Sequence, residues 1–125
     1  MAEESGPTIL VVDDEEDIGK TVEALLRCKG YGVVRVGDGQ AAVEKATEVV
    51  PQLVLLDYEL PEMDGLEVIE ALRSDEKTRE IPVLLATAGR ISFEEIQKAD
   101  GFLAKPFQEG LLYQMVERLL ALKRT

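Results

Sequence analysis

The chain has 125 residues, of which 46% are hydrophobic and 31% charged, a balance that fits one globular domain with a single core and excludes a disordered tract. Its 25 acidic residues against 14 basic ones give a net charge of −11, which excludes general nucleic-acid binding, because that binding relies on Lys and Arg neutralising phosphates. With no histidine, the commonest general base and zinc ligand are missing; Cys28, the one cysteine, has no disulfide partner and reads as an inert, partly buried thiol.

The N-terminus, MAEESGPT, lacks the basic start and apolar core of a signal peptide, and no apolar run approaches a membrane span, so a cytoplasmic location is expected. Residues 1–7 read as a loose segment before one domain over 8–125, with the last few residues loose as well. TILVV (8–12) reads as a buried strand, and Ile18, Val22, Leu25 and Leu26 follow at helical spacing up to Gly30. YGVVRV (31–36) is a second strand, followed by a helix across QAAVEKATEVV. QLVLLD (52–57) is a third, with a helix near Leu66 to Arg73 behind it. IPVLLAT (81–87) is the fourth and FLA (102–104) a short fifth. The last helix runs from about Gln108 to Leu122, with Leu111, Leu112, Met115, Val116, Leu119 and Leu120 as its buried stripe. Strands rich in Val and Leu without alternation are covered on both faces, so five βα units imply a parallel sheet with helices on each side.

In such a sheet, sites form beyond the carboxyl ends of the strands. Asp13 and Asp14 follow the first strand, inside the acidic run DDEED, and Asp57 ends the third. If those strands are neighbours, three carboxylates converge in one crevice. Their repulsion costs stability unless a hard cation sits among them, and oxygen ligands in this number suit Mg²⁺. Thr87 ends the fourth strand and Lys105 follows the fifth, adding a hydroxyl and an ammonium to the same rim. A carboxylate nucleophile, a cation site, a lysine and a hydroxyl together can handle a phosphoryl group.

The pair Asp13-Asp14, the stretch DYELPEMDG from Asp57 to Gly65, LLAT ending at Thr87 and KPF at 105–107 together resemble the receiver domain of two-component response regulators, the CheY-like family, over nearly the whole chain. The resemblance implies a flavodoxin-like α/β fold with strand order 2-1-3-4-5 and five helices. It implies phosphorylation of Asp57 by a sensor histidine kinase or phosphotransfer protein, and Mg²⁺ ligation by Asp14, Asp57 and the backbone carbonyl of Glu59, with Asp13 acting mainly through water. Lys105 contacts the phosphoryl group in that picture and Thr87 moves toward it. Phe102, at the position of the family's switch aromatic, turns inward, and Pro106 follows a cis peptide bond. Asp64 and Gly65 read as structural, with Asp64 capping the next helix and Glu67 at the capping-box position.

One region departs from the family pattern. Lys105 lies 18 residues after Thr87, about one helical turn fewer than usual. Ser92 and Glu95 form a capping box there, and Ile91 and Ile96 sit at hydrophobic-staple positions, so a shortened fourth helix is expected from Phe93 to about Ala99. Lys98 stands where the family commonly has a glycine, and Glu59 adds an acid at the pocket mouth.

Other classes fit less well. Gly37 to Ala42 matches a dinucleotide-binding fingerprint, but after the second strand and in a chain too short for two mononucleotide halves, so Gly37 and Gly39 read as the turn into the second helix. A dehalogenase-type phosphatase wants a second Asp where Glu59 stands. A receiver fold that works by docking alone would have no reason to carry the acid cluster. The expectation is therefore a Mg²⁺-dependent phosphorylation switch, not an enzyme on an external metabolite, monomeric or weakly dimeric on activation. Its output would pass through a protein partner unless the chain is part of a larger regulator.

Overall fold

The computed structural model describes residues 6–122; the parts of the expected loose ends at 1–5 and 123–125 lie outside the described residues. Strands β1 (Thr8–Val12), β2 (Gly32–Val36), β3 (Leu53–Asp57), β4 (Val83–Thr87) and β5 (Gly101–Ala104) alternate with helices α1 (Glu16–Cys28), α2 (Gly39–Val49), α3 (Gly65–Arg73), α4 (Phe93–Ile96) and α5 (Glu109–Ala121). All strand pairs are parallel, in the order β2-β1-β3-β4-β5. This is the flavodoxin-like topology expected. Pro7 already belongs to it, its carbonyl accepting from the Gly32 N–H at 2.9 Å.

The unbroken apolar strands follow from two cores. Side chains alternate across a strand, so Ile9, Val11, Leu55 and Leu84 face α1 and α5, where Val22, Leu26, Leu112, Val116 and Leu119 meet them. Leu10, Val12, Val54, Leu56 and Leu85 face α2 and α3, against Ala42, Ala46, Val68, Ile69 and Leu72. Each fully buried Leu, Ile or Val contributes about 1.5–3 kcal/mol, against about 0–1 kcal/mol for a surface ion pair such as Lys20–Glu16. The sheet is therefore held by its two apolar faces.

Local signals set the helix starts. Asp38 caps α2, accepting from the Ala41 N–H at 2.7 Å, so Gly37 and Gly39 do form the turn into that helix. Asp64 and Glu67 form both bonds of a capping box on α3, each at 3.0 Å. Gly65 is needed there. A Cβ at that position would lie 2.9 Å from Tyr58 Cα and 3.2 Å from the Asp57 carbonyl oxygen, so only glycine lets α3 start this close to the end of β3.

Several sequence expectations are corrected. Cys28 is exposed, not partly buried, because the inward face of α1 is set by Gly19, Val22 and Leu26. Ile18 is 36% exposed, turned toward a groove against the β5–α5 loop. Leu111 is 45% exposed, since Leu112, Val116 and Leu119 take the sheet side of α5. Helix α4 is shorter than the expected 93–99. Its Ser92–Glu95 capping box is complete, with both bonds at 3.1 Å, but the Lys98 and Ala99 amides bond three residues back, to Glu95 and Ile96. The helix cannot continue because Asp100 is already tied to the sheet: its N–H donates to the Val83 carbonyl, and its carboxylate accepts from the Val83 N–H and Arg73, each at 2.8 Å. Among the described residues no helix is long and apolar enough to cross a membrane.

Candidate functional site

The strand order turns at β1, with β2 on one side and β3 on the other, so a crevice opens beyond the carboxyl ends of β1 and β3. Asp57, the last residue of β3, stands in it at 5% exposure. Asp13 follows β1. Its N–H donates to the Val36 carbonyl at 3.1 Å and its Oδ1 accepts from the Glu15 N–H at 2.9 Å, which leaves Oδ2 facing Lys105 Nζ at 3.3 Å. Asp14, beside it, is exposed and does not cap α1, whose N-cap is Glu15. One carboxylate oxygen from each of Asp13, Asp14 and Asp57 lies within 4.8 Å of the others.

Lys105 reaches this cluster from the end of β5. Its N–H is bound to the Thr87 carbonyl at 2.9 Å, the bond to Pro106 is cis as expected, and Nζ stands 3.2 Å from Asp57 Oδ2. Burial pushes the Asp57 carboxyl up; the Lys105 charge and hydrogen bond pull it down, the Asp13 charge raises it again and the Glu59 N–H lowers it, leaving it at about 6. Burial also disfavours the Lys105 ammonium, but the charges of Asp57 and Asp13 outweigh that and hold it above the usual lysine value. One ammonium, held by Asp57 and Asp13, thus stands against a cluster of three carboxylates, an excess of anionic oxygen in a partly buried crevice. All the donors are hard oxygens at mutual distances one ion can span, so the residues fit a divalent cation of the Mg²⁺ type.

Thr87, 2% exposed at the end of β4, does not give its hydroxyl to Asp57. It donates to Glu59 Oε2, which also accepts from the Gly89 N–H at 3.1 Å. Burial raises the Glu59 carboxyl, but the Thr87 hydroxyl and the Gly89 amide, with smaller help from Asp57 and the Ala88 amide, bring it below the usual range. The sequence pointed to Glu59 for its backbone carbonyl and as an added acid at the pocket mouth, but not to its side chain's hold on Thr87 or to Gly89; the Ala-Gly dipeptide directly after Thr87 was the available signal for a close backbone approach. Phe102, on β5, is half-buried and belongs to neither core cluster. Beside Lys105 and Pro106, a groove of about 500 Å³ is lined by Ile18, Val22, Leu25 and Phe107.

The sequence and the fold are shared with known proteins. The chain is 40% identical over 123 residues to the DNA-binding dual master transcriptional regulator RpaA of Synechocystis sp., covering 94% of this chain and 49% of that protein. It is 36% identical over 116 residues to the alkaline phosphatase synthesis transcriptional regulatory protein PhoP of Bacillus subtilis, covering 90% of this chain and 48% of that one. The chain thus spans about half the length of the curated relatives it matches. Among solved structures, a chemotaxis response regulator of Vibrio cholerae superposes with a TM-score of 0.85 at 30% identity, over 92% of this chain and 99% of that one. The receiver domain of a Pseudomonas aeruginosa sensor histidine kinase, solved with a magnesium ion coordinated in its active site cleft, superposes with a TM-score of 0.84 at 30% identity, over 94% of this chain and 100% of that one. The family model of the response regulator receiver domain matches residues 9–117, a span that takes in β1 from Ile9, all of β2 to β5 and the whole acid crevice, and the chain belongs to that family.

Proposed function

We propose that this domain is a phosphoacceptor switch in which Asp57 takes a phosphoryl group from a sensor histidine kinase or a phosphotransfer protein in the cytoplasm. The observation that carries the reading is the buried Asp57 carboxylate held by Lys105 at 3.2 Å and flanked by Asp13 and Asp14. An Asp57 oxygen forms the new bond to phosphorus as the bond from phosphorus to the donor nitrogen breaks, and that nitrogen keeps the electron pair. With its carboxyl at about 6, Asp57 is ionised and nucleophilic at neutral pH. Lys105 offsets charge on the phosphoryl oxygens, and Thr87 supplies a hydroxyl once it turns from Glu59. Asp13, Asp14, Asp57 and the backbone carbonyl of Glu59 would hold Mg²⁺, which when bound neutralises phosphoryl and carboxylate oxygens; the magnesium ion in the Pseudomonas receiver domain supports this assignment. The chain acts on its own Asp57 and on no external metabolite. Phe102 and the exposed Phe93 and Leu111 lie on α4, β5 and α5, the face through which the phosphorylated state would reach a protein partner.

Incubation with acetyl phosphate and Mg²⁺ tests the reading by mass spectrometry. The wild type should gain one phosphoryl group that hydroxylamine removes, and Asp57→Asn should gain none. Labelling of the variant, or an unlabelled wild type, would end the proposal.

A further inference from the structure

The hydroxyl expected to meet the phosphoryl group is already engaged. Thr87 is 2% exposed, so its hydroxyl has to find its partner inside the fold, and Glu59 Oε2 is the acceptor it takes. The same oxygen accepts from the Gly89 N–H at 3.1 Å, and that N–H also reaches Thr87 Oγ1 at 3.0 Å. The position after Ala88 has to be glycine for this contact. A Cβ at Gly89 would lie 2.6 Å from Glu59 Oε2 and meet no backbone atom, while Thr87 Oγ1 would remain at an ordinary 3.7 Å. Gly89 is not among the glycines with positive φ, so its backbone suits alanine as well.

An anionic oxygen that accepts from one hydroxyl and one backbone amide is also what a phosphoryl oxygen on Asp57 would offer. Resting on the phosphoacceptor reading above, we propose that Glu59 is a positioning residue acting through Thr87: its carboxylate occupies the Thr87 hydroxyl and the Gly89 amide in the resting domain and must be displaced when a phosphoryl oxygen takes its place. The bond that Thr87 forms in the phosphorylated state is then an exchange of acceptors, and its net gain is small. Removing Glu59 turns the exchange into a pure gain.

The test uses beryllofluoride, a phosphoryl mimic, at saturating Mg²⁺, with amide NMR of the whole chain. Glu59→Ala should bind beryllofluoride more tightly by on the order of tenfold, the usual worth of a hydrogen bond to a charged acceptor. Loss of a negative charge near the pocket would also favour an anion, so the same substitution is made in a Thr87→Val background. There the gain should shrink to a small fraction. Gly89→Ala, which keeps the charge but pushes the carboxylate away, should reproduce the gain in the Thr87 background. Before any beryllofluoride is added, the Gly89 amide proton should move upfield and exchange faster in Glu59→Ala than in wild type. An unchanged Gly89 amide, or an equal gain with and without the Thr87 hydroxyl, would overturn the role of Glu59 while leaving the phosphoacceptor reading standing. Failure of the wild type to bind beryllofluoride at all would instead overturn that reading and the acceptor exchange with it.

Discussion

Asp57→Asn should stabilise the domain when divalent cations are removed, and the amount follows from the burial of the carboxylate. Folding lifts the Asp57 carboxyl from its ordinary 3.8 to about 6, with burial as the main cause. The folded protein then binds more protons than the unfolded chain between those two values, so stability falls as pH rises through that window and stays low above it. The full contribution is present below 3.8 and is lost by about pH 6. At about 1.4 kcal/mol per pH unit the loss comes to about 3 kcal/mol. Because Asp57 is 5% exposed, solvent screening does little to reduce it. An asparagine carries no such proton equilibrium. Urea denaturation in EDTA should therefore find Asp57→Asn more stable than wild type by about 3 kcal/mol at pH 7.5, with the difference narrowing steadily as pH falls toward 4. Adding Mg²⁺ should raise the wild type by mass action and close much of the gap. Equal stabilities at pH 7.5 without Mg²⁺, or a difference that does not change with pH, would refute the claim that a desolvated charge sits at this position.

Three further outcomes are expected. Val50, the C-cap of α2, is a β-branched residue in the left-handed region at φ 49 and is 43% exposed, so Val50→Gly should stabilise the protein by a few tenths to about 1 kcal/mol after the entropic cost of glycine; a lowered urea midpoint would contradict the strain. Ser92→Ala removes half of the capping box on a four-residue helix with no buried residue, at a cost of about 1 kcal/mol; the amides of 93–97 should exchange faster in the variant, and unchanged protection would show that packing alone holds α4. Asp100→Ala leaves both Arg73 and the Val83 N–H without this carboxylate, and chemical denaturation should register about 2–3 kcal/mol of lost stability; a loss near zero would mean that water replaces these bonds.

The strands were legible because both of their faces are buried, so every position from Ile9 to Val12 and from Leu53 to Leu56 had to be apolar, and local composition alone marked them. The helix starts were legible for a related reason. A cap is a bond between residues three apart, and Asp64–Glu67 and Ser92–Glu95 formed as their spacing required. The end of α4 was not legible, since what stops it is the tie from Asp100 to Val83 and to Arg73 of α3, and no window around residue 97 contains those partners. Ile18 and Leu111 follow helical periodicity yet face outward, because periodicity marks a stripe but not how far the neighbouring element extends to cover it.

The sequence by itself determined the α/β alternation, the positions of the acids, hydroxyl and lysine at strand ends, and the glycine that admits α3 beside β3, because each depends on residue type within a few positions along the chain. Only the tertiary structure decided which of those groups meet. It brought Lys105 within 3.3 Å of Asp13, 92 residues away, and turned Thr87 toward Glu59, 28 residues away, rather than toward Asp57. Strand order and loop path set such distances. A carboxylate side chain chooses among donors that arrive from separate strands, and that choice exists only once the sheet has assembled.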